Sequence, residues 1–282
     1  KLLREIGIQP DFIITRSEKP LDDVRKEKIA LFCNVSGEDV ISDSNIDNVY
    51  GVPLLFEEQE LCKKILKKLG LRKEDNDFNA WKNYIAKIRK LDKKVKIGIV
   101  GKYFDIGAFK LSDSYISVIE AVKHASWNNN VRPEIEWIDS KLFEKHPRKI
   151  VNLKKFDAII VPGGFGLSGV EGKIATIKYA RENNIPYLGL CLGMQLAVVE
   201  YARNVCGLKG ANSVEVEKNP PHPVIDFIPD QVKIVTESRY GATMRLGAYE
   251  ARLTGNSHVA AIYGSTVISE RHRHRYEVNS AY

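Results

Sequence analysis

Short apolar runs alternate with amphipathic stretches along most of the 282 residues. Residues 8–16 read as a turn leading into a buried strand, and Lys28 to Val35 as a second buried strand. Residues 57–69 have helical spacing, with Leu61, Ile65 and Leu69 on one face. Residues 72–94 are highly charged, yet Phe78, Trp81, Ile85 and Ile88 recur at helical intervals. That pattern predicts an exposed amphipathic linker helix ending in the basic run Lys90 to Lys96. A new strand begins at Val95, and helical periodicity follows over 115–125 through Tyr115, Val118, Ile119 and Val122. Further strands are predicted at 134–138, 156–161 and 185–190, with helices at 171–183 and from Gln195 to Val205. The segment Asp226 to Gly241 is irregular, and no internal repeat appears.

Strands alternating with helices predict an α/β fold, a mostly parallel sheet flanked by helices with right-handed crossovers. Ligands of such a sheet sit at the carboxyl ends of its strands. The apolar runs ending at Val100, Val161 and Leu190 all pass into glycine-containing loops, as that rule requires.

Composition narrows the class. Apolar residues make up 44% and charged residues 28%, which suits an ordinary globular chain with a substantial core. No run approaches the roughly 18 apolar residues of a membrane span. The first nine residues lack the apolar core of a secretory signal, and the missing initiator Met suggests that Lys1 is not the natural start. Four cysteines, Cys33, Cys62, Cys191 and Cys206, show no CxxC spacing. This argues against zinc and a disulfide framework and fits a reducing, cytoplasmic compartment. The net charge of +7 comes from basic residues interspersed with acids. It reads as solvated surface rather than a nucleic-acid footprint, with nucleotide phosphates as the next reading.

The densest chemistry lies in Pro186-Tyr-Leu-Gly-Leu-Cys-Leu-Gly-Met-Gln195. A short apolar run ends in a sharp turn with Cys191 at its tip, and a helix starts immediately after. Glycines stand two residues before and two after the cysteine, where the backbones flanking such a turn pass close together. The N–H groups and partial positive charge of a helix start stabilise a thiolate and a developing oxyanion. Cys191 is therefore a candidate nucleophile. About 25 residues earlier, Val161-Pro-Gly-Gly-Phe-Gly166 follows another buried strand. It lacks the Gly-Lys-Ser/Thr ending of a P-loop. Alone it is a tight turn; paired with the elbow, it supplies main-chain donors for an oxyanion. Cys33, Cys62 and Cys206 have no glycine context and read as small core residues.

These two motifs in this order resemble the class I glutamine amidotransferases and, within them, the CTP synthase family. The resemblance continues in Gly7-Ile-Gln-Pro-Asp11, Lys28 to Val35, Gly98-Ile-Val-Gly-Lys-Tyr103 and Ser117-Val-Ile-Glu-Ala121. Ala180 to Pro186, Thr243-Met-Arg-Leu-Gly247 and Glu270 to Asn279 extend it over nearly the whole chain. It implies a class I glutaminase fold over 95–282, C-terminally incomplete. It further implies a linker helix at 71–94, and over 1–70 the end of an α/β P-loop-type synthetase domain. Implied substrates and effectors are glutamine, UTP, ATP with Mg2+, GTP as activator and CTP as inhibitor, in a homo-oligomeric dimer or tetramer without nucleic-acid or membrane partners. The metal carboxylates of that family precede the part matched here.

By the same resemblance Cys191 attacks glutamine, and Gly164 with the Leu192 N–H holds the oxyanion. Gly193, Met194 and Gln195 belong to the glutamine-binding stretch. Glu215 meets the α-ammonium, and Arg275, beside Tyr276, takes the α-carboxylate. Arg16 and Lys28 face nucleotide phosphates. Read without the resemblance, Val214 to Glu217 is an alternating strand and Arg271 to Arg275 a solvated basic patch. The family takes its general base from a His-x-Glu segment. None of His124, His146, His222, His258, His272 and His274 has Glu two residues on, so no base is assigned. Two rival readings remain at this point: another cysteine hydrolase on the same elbow, and a non-catalytic module with a degenerate site.

Overall fold

The structure is a computed structural model that describes residues 2–72, 78–101, 105–106, 109–110, 115–164, 168–231 and 245–282. The chain divides into two compact units, Lys1–Leu91 and Asp92–Tyr282. Lys102-Tyr103, Phe165-Gly166, Thr243-Met244 and most of Asp226 to Gly241 lie outside the described residues.

The first unit opens with a four-residue helix, α1 (Leu2–Glu5), followed by β1 (Ile13–Ser17), α2 (Asp23–Cys33) and β2 (Val40–Ser44). The two strands pair in parallel, Ile13 opposite Val40 through Ser17 opposite Ser44. α2 corrects the strand expected at Lys28–Val35. Asp22 caps a helix that begins upstream, accepting from the Arg25 N–H at 2.8 Å, and Asn34 ends it in the left-handed conformation. The apolar run is only its last two turns, with Leu31 and Phe32 left exposed. The strand expected at 8–16 forms at Ile13–Ser17, but it alternates half-buried and exposed residues instead of being buried. β2 is the buried partner, and Gln59 bonds both the N–H and the C=O of Ser42, at 2.8 and 2.9 Å.

Three helices complete this unit: α3 (Val52–Glu58), α4 (Leu61–Lys68) and α5 (Asn79–Arg89). On α4 Leu61 is buried, while Ile65 and Leu69 remain exposed. α5 matches the helical spacing of Trp81 and Ile85, but it is more than a solvated linker. Ile85 is fully buried, and the Trp81 indole N–H donates to the Tyr50 carbonyl at 2.9 Å.

The second unit is built on β3 (Lys94–Gly101). A two-stranded turn, β4 (Asp105–Ile106) and β5 (Phe109–Lys110), precedes α6 (Ile116–Asn128) and β6 (Arg132–Asp139). Then come α7 (Lys141–Lys145), β7 (Ala158–Val161), α8 (Val170–Glu182), β8 (Tyr187–Gly189) and α9 (Leu192–Asn204). The main sheet has the order β6-β3-β7-β8, and every pairing in it is parallel. Alternate residues feed two cores. Ile97, Ile99 and Ile160 pack with Tyr115 on one face. Val100, Ile159 and Val161 pack with Ile174, Ile177, Leu196 and Val199 of α8 and α9 on the other.

A second sheet joins β9 (Ala211–Ser213), β10 (His222–Phe227) and, at the far edge, a last strand at Tyr276–Val278. Between them β11 (Arg245–Arg252) and β12 (Val267–His274) form an antiparallel ribbon, and β13 is that last strand. The sheets are mostly parallel and helix-flanked, as the alternation of elements predicts. No helix among the described residues is long and apolar enough to cross a membrane.

Candidate active site

Cys191 sits where β8 turns into α9, one strand away from the glycine loop that follows β7. The backbone at Cys191 has φ 55° and ψ −113°, a conformation that an L-residue holds only under constraint. Close packing provides that constraint. A Cβ on Gly193 would lie 1.9 Å from the Val161 carbonyl oxygen, and one on Gly189 2.6 Å from the Met194 nitrogen. The glycine spacing on either side of the cysteine is therefore a steric requirement of the turn. Hydrogen bonds tie it down further. The Leu190 N–H donates to the Val161 carbonyl at 3.0 Å, and the buried Tyr187 hydroxyl to the Gly193 carbonyl at 2.7 Å. Burial pushes the Tyr187 hydroxyl pKa above its ordinary value, which keeps it a donor.

Partial desolvation raises the Cys191 thiol pKa most and the backbone N–H of Leu192 lowers it; the Glu215 carboxylate raises it and the Lys173 ammonium lowers it. The net direction is upward. Cys191 is exposed as a residue. Lys173, on α8, is itself almost fully buried.

One cavity of about 180 Å³ is lined by Gly164, Cys191, Leu192, Gln195, Glu215 and Arg273 to Tyr276. The structure thus brings together Cys191, Gly164, Leu192, Gln195, Glu215 and Arg275 from segments far apart in the chain. Gln195 is buried, and its amide donates to the Tyr276 carbonyl at 3.0 Å, tying α9 to β13. Glu215 lies on a turn, not on the strand suggested by its alternating neighbours. Its N–H donates to the Ser213 hydroxyl at 3.2 Å, and the Val216 and Glu217 N–H groups close back on the Ser213 carbonyl. Arg275 donates to the Gln231 side chain at 3.1 Å.

Other expected positions fall elsewhere. Gly193 is packed beneath the turn against Val161. Met194 lines a separate apolar cavity of about 540 Å³ with Ala197, Val198 and Tyr201, because it points to another face of α9. Cys206 lines the same apolar cavity and is exposed, as is Cys62, while Cys33 is half-buried; none of the three is a core residue. Arg16, on β1, is exposed and engages the Asp43 carboxylate at 3.8 Å and the Ser17 carbonyl at 3.2 Å. Lys28 stands on an exposed helix face rather than at a strand end.

His274 and Arg273 also line the Cys191 cavity, which the chain order did not single out. Strand alternation from Arg275 and Tyr276 was the available signal. Burial and the neighbouring His272, at a ring separation of 4.8 Å, hold the His274 pKa below the ordinary imidazole value. Among the described residues no cluster of three or more His, Cys, Asp or Glu side chains could hold a metal ion.

Comparison with known proteins bears directly on this cavity. Residues 110–282 match the family model described as glutamine amidotransferase class-I, and residues 1–71 that of the CTP synthase N-terminus. A CTP synthase of Methanosarcina barkeri is 49% identical over 99% of this chain and 51% of its own length. One of Methanococcoides burtonii is 50% identical over 100% of this chain and 51% of its own length. The chain thus spans about half the length of the curated relatives it matches. A solved structure, the glutaminase domain of Trypanosoma brucei CTPS with bound acivicin, is similar with a TM-score of 0.60 and 42% identity. That likeness covers 67% of this chain and 69% of that one. With the family match over more than half its residues and the strained cysteine turn inside that match, the chain belongs to the class I glutamine amidotransferases.

Proposed function

We propose that this chain carries the glutaminase of a CTP synthase, in which ammonia released from glutamine aminates UTP in an ATP-dependent reaction. The observation that carries the reading is the placement of Cys191. Cys191 stands at the start of α9, in one cavity with Gly164, Leu192, Glu215 and Arg275. A nucleophile, backbone donors, one carboxylate and one guanidinium are the groups that an amino-acid carboxamide needs.

Arg275 takes the α-carboxylate of glutamine and Glu215 its α-ammonium, which directs the carboxamide to Cys191. The sulfur attacks the carboxamide carbon, and the oxyanion collects the N–H groups of Leu192 and Gly164. Collapse of the tetrahedral adduct breaks the C–N bond, leaving ammonia and a glutamyl thioester. Water then cleaves the thioester to glutamate and regenerates the thiol. The thiol proton requires an acceptor, which the resemblance locates in a His-x-Glu segment; no histidine of this chain has that spacing. Residues 1–70 are the end of the amidoligase domain in this reading, with Arg16 and Lys28 as nucleotide-phosphate contacts. ATP, Mg2+, UTP, GTP and CTP belong to the whole oligomeric enzyme, in the cytoplasm.

The test is labelling of Cys191 by a chloroketone analogue of glutamine, with protection by glutamine. It is paired with an assay of glutamine-dependent and ammonia-dependent CTP formation in the full-length protein. Replacement of Cys191 by Ala is expected to abolish the glutamine-dependent route and leave the ammonia-dependent one. Labelling indifferent to glutamine points instead to another cysteine hydrolase, and an unreactive Cys191 to a non-catalytic module.

A further inference from the structure

Tyr115 stands at the N-cap of α6, and its side chain is buried in the core on one face of the main sheet, with Ile97, Ile99 and Ile160. A phenol there needs a partner for its hydroxyl. The bond that it makes is specific: the Tyr115 hydroxyl donates to the Gly163 carbonyl at 3.2 Å. The ring is oriented by stacking on Trp137, with centroids 6.2 Å apart and an interplanar angle of 25°.

The carbonyl of Gly163 and the N–H of Gly164 belong to one peptide plane. No described peptide bond is cis, so the two groups point in opposite directions. Fixing the Gly163 oxygen on the Tyr115 side therefore aims the Gly164 N–H the other way. Gly164 lines the Cys191 cavity, and Gly163 is so near the nucleophile that a Cβ on it would sit 3.2 Å from Cys191 Cβ. The plane needs an external hold. Neither glycine has a Cβ, so compensating rotations about the flanking bonds can turn the peptide over at little steric cost.

We propose that Tyr115 is a positioning residue of the oxyanion hole, holding the Gly163–Gly164 peptide so that its N–H faces the tetrahedral intermediate. The inference rests on the glutaminase reading above. Tyr115 touches neither substrate nor the reacting sulfur; it acts through the peptide. Its hydroxyl should thus matter where negative charge develops on oxygen, and not where the thiol reacts without forming an oxyanion.

The experiment compares wild type and Tyr115→Phe in the full-length enzyme. The Phe variant keeps the ring and its stacking on Trp137. Three readouts are taken: glutaminase kcat and KM, affinity for the aldehyde analogue of glutamine, and the rate of Cys191 alkylation by iodoacetamide. The aldehyde forms a thiohemiacetal whose oxygen needs the hole, whereas alkylation forms no oxyanion. We expect kcat and aldehyde affinity to fall together by about tenfold, less than the roughly hundredfold or more that outright removal of an oxyanion donor costs, because the N–H is loosened and not removed, with KM and alkylation unchanged. Unchanged kcat and aldehyde affinity overturn the proposal. So does a parallel fall in alkylation, which marks general damage to the turn. A wild-type protein that is alkylated but binds neither glutamine nor the aldehyde overturns the glutaminase reading, and this one with it.

Discussion

The Cys191 cavity has two walls made in different ways. One is the end of β7, the end of β8 and the start of α9. Its residues are held by backbone approach: Gly193 against Val161 and Gly189 against Met194. The other wall is Arg273 to Tyr276, the junction of β12 and β13, with Glu215 on its turn. It is assembled from side chains on partly exposed backbone, tied in by the bonds from Gln195 to the Tyr276 carbonyl and from Arg275 to Gln231. In the proposed glutaminase the first wall does the chemistry, which tolerates little misplacement. The second supplies charge for recognition, which long side chains deliver over greater reach. Damage to the first should therefore appear in turnover and folding, and damage to the second in substrate affinity.

The largest expected effect is on the first wall. Cys191→Ala should lower glutaminase turnover by at least about a thousandfold, because without the nucleophile only binding and the oxyanion donors remain; steady-state glutamate release checks this. Gly193→Ala should then destabilise the second unit by about 2 kcal/mol or more, since a methyl group meets a main-chain oxygen in a close-packed site. Chemical denaturation measures the loss, and an unaltered midpoint would contradict the steric account of the turn.

Arg275→Ala, on the second wall, should raise the KM for glutamine by about ten- to a hundredfold, the range for losing one charge-assisted hydrogen-bonded contact. kcat should change much less; an equal fall in kcat would blur the contrast between the walls. The smallest effect is electrostatic. The Glu215 carboxylate raises the Cys191 thiol pKa, so Glu215→Gln should lower that pKa and increase the thiolate present at a given pH. Iodoacetamide alkylation near neutral pH should then be severalfold faster, even as glutamine protection weakens. In the unaltered protein the alkylation profile should lie at higher pH than that of a free cysteine, because the net direction of the thiol shift is upward.

The first wall was legible in the chain because its geometry is local. A strand, a glycine at two residues on either side of a cysteine, and a helix lie within ten consecutive positions, and each glycine has a steric reason visible in the turn itself. The parallel sheet was legible for a similar reason. Val95 to Gly101 and Phe156 to Val161 are near-continuous apolar runs, as strands buried on both faces must be. Lys28 to Val35 shows where that reasoning fails. Its apolar stretch, Ile29 to Cys33, suits a strand or the end of a helix, and the cap at Asp22 that decided the matter lies outside it. Alternation over Val214 to Glu217 suits a strand, whereas the Ser213 hydroxyl and carbonyl turn the backbone at Glu215.

By itself the sequence determined the candidate nucleophile's elbow, the glycine loop and most of the sheet-forming segments, because these depend on near-neighbour sterics and periodicity. Only the tertiary structure decided which distant groups meet the sulfur. Lys173, Glu215 and the adjacent pair His274 and Arg275 come from three separate segments, and the Tyr115 bond to Gly163 joins residues 48 apart. It also moved Met194 out of the cavity and the three other cysteines out of the core. The reason is physical: spacing along a chain constrains residues within a turn or two, while electrostatic and hydrogen-bonded partners are set by which faces of the sheets and helices close on each other.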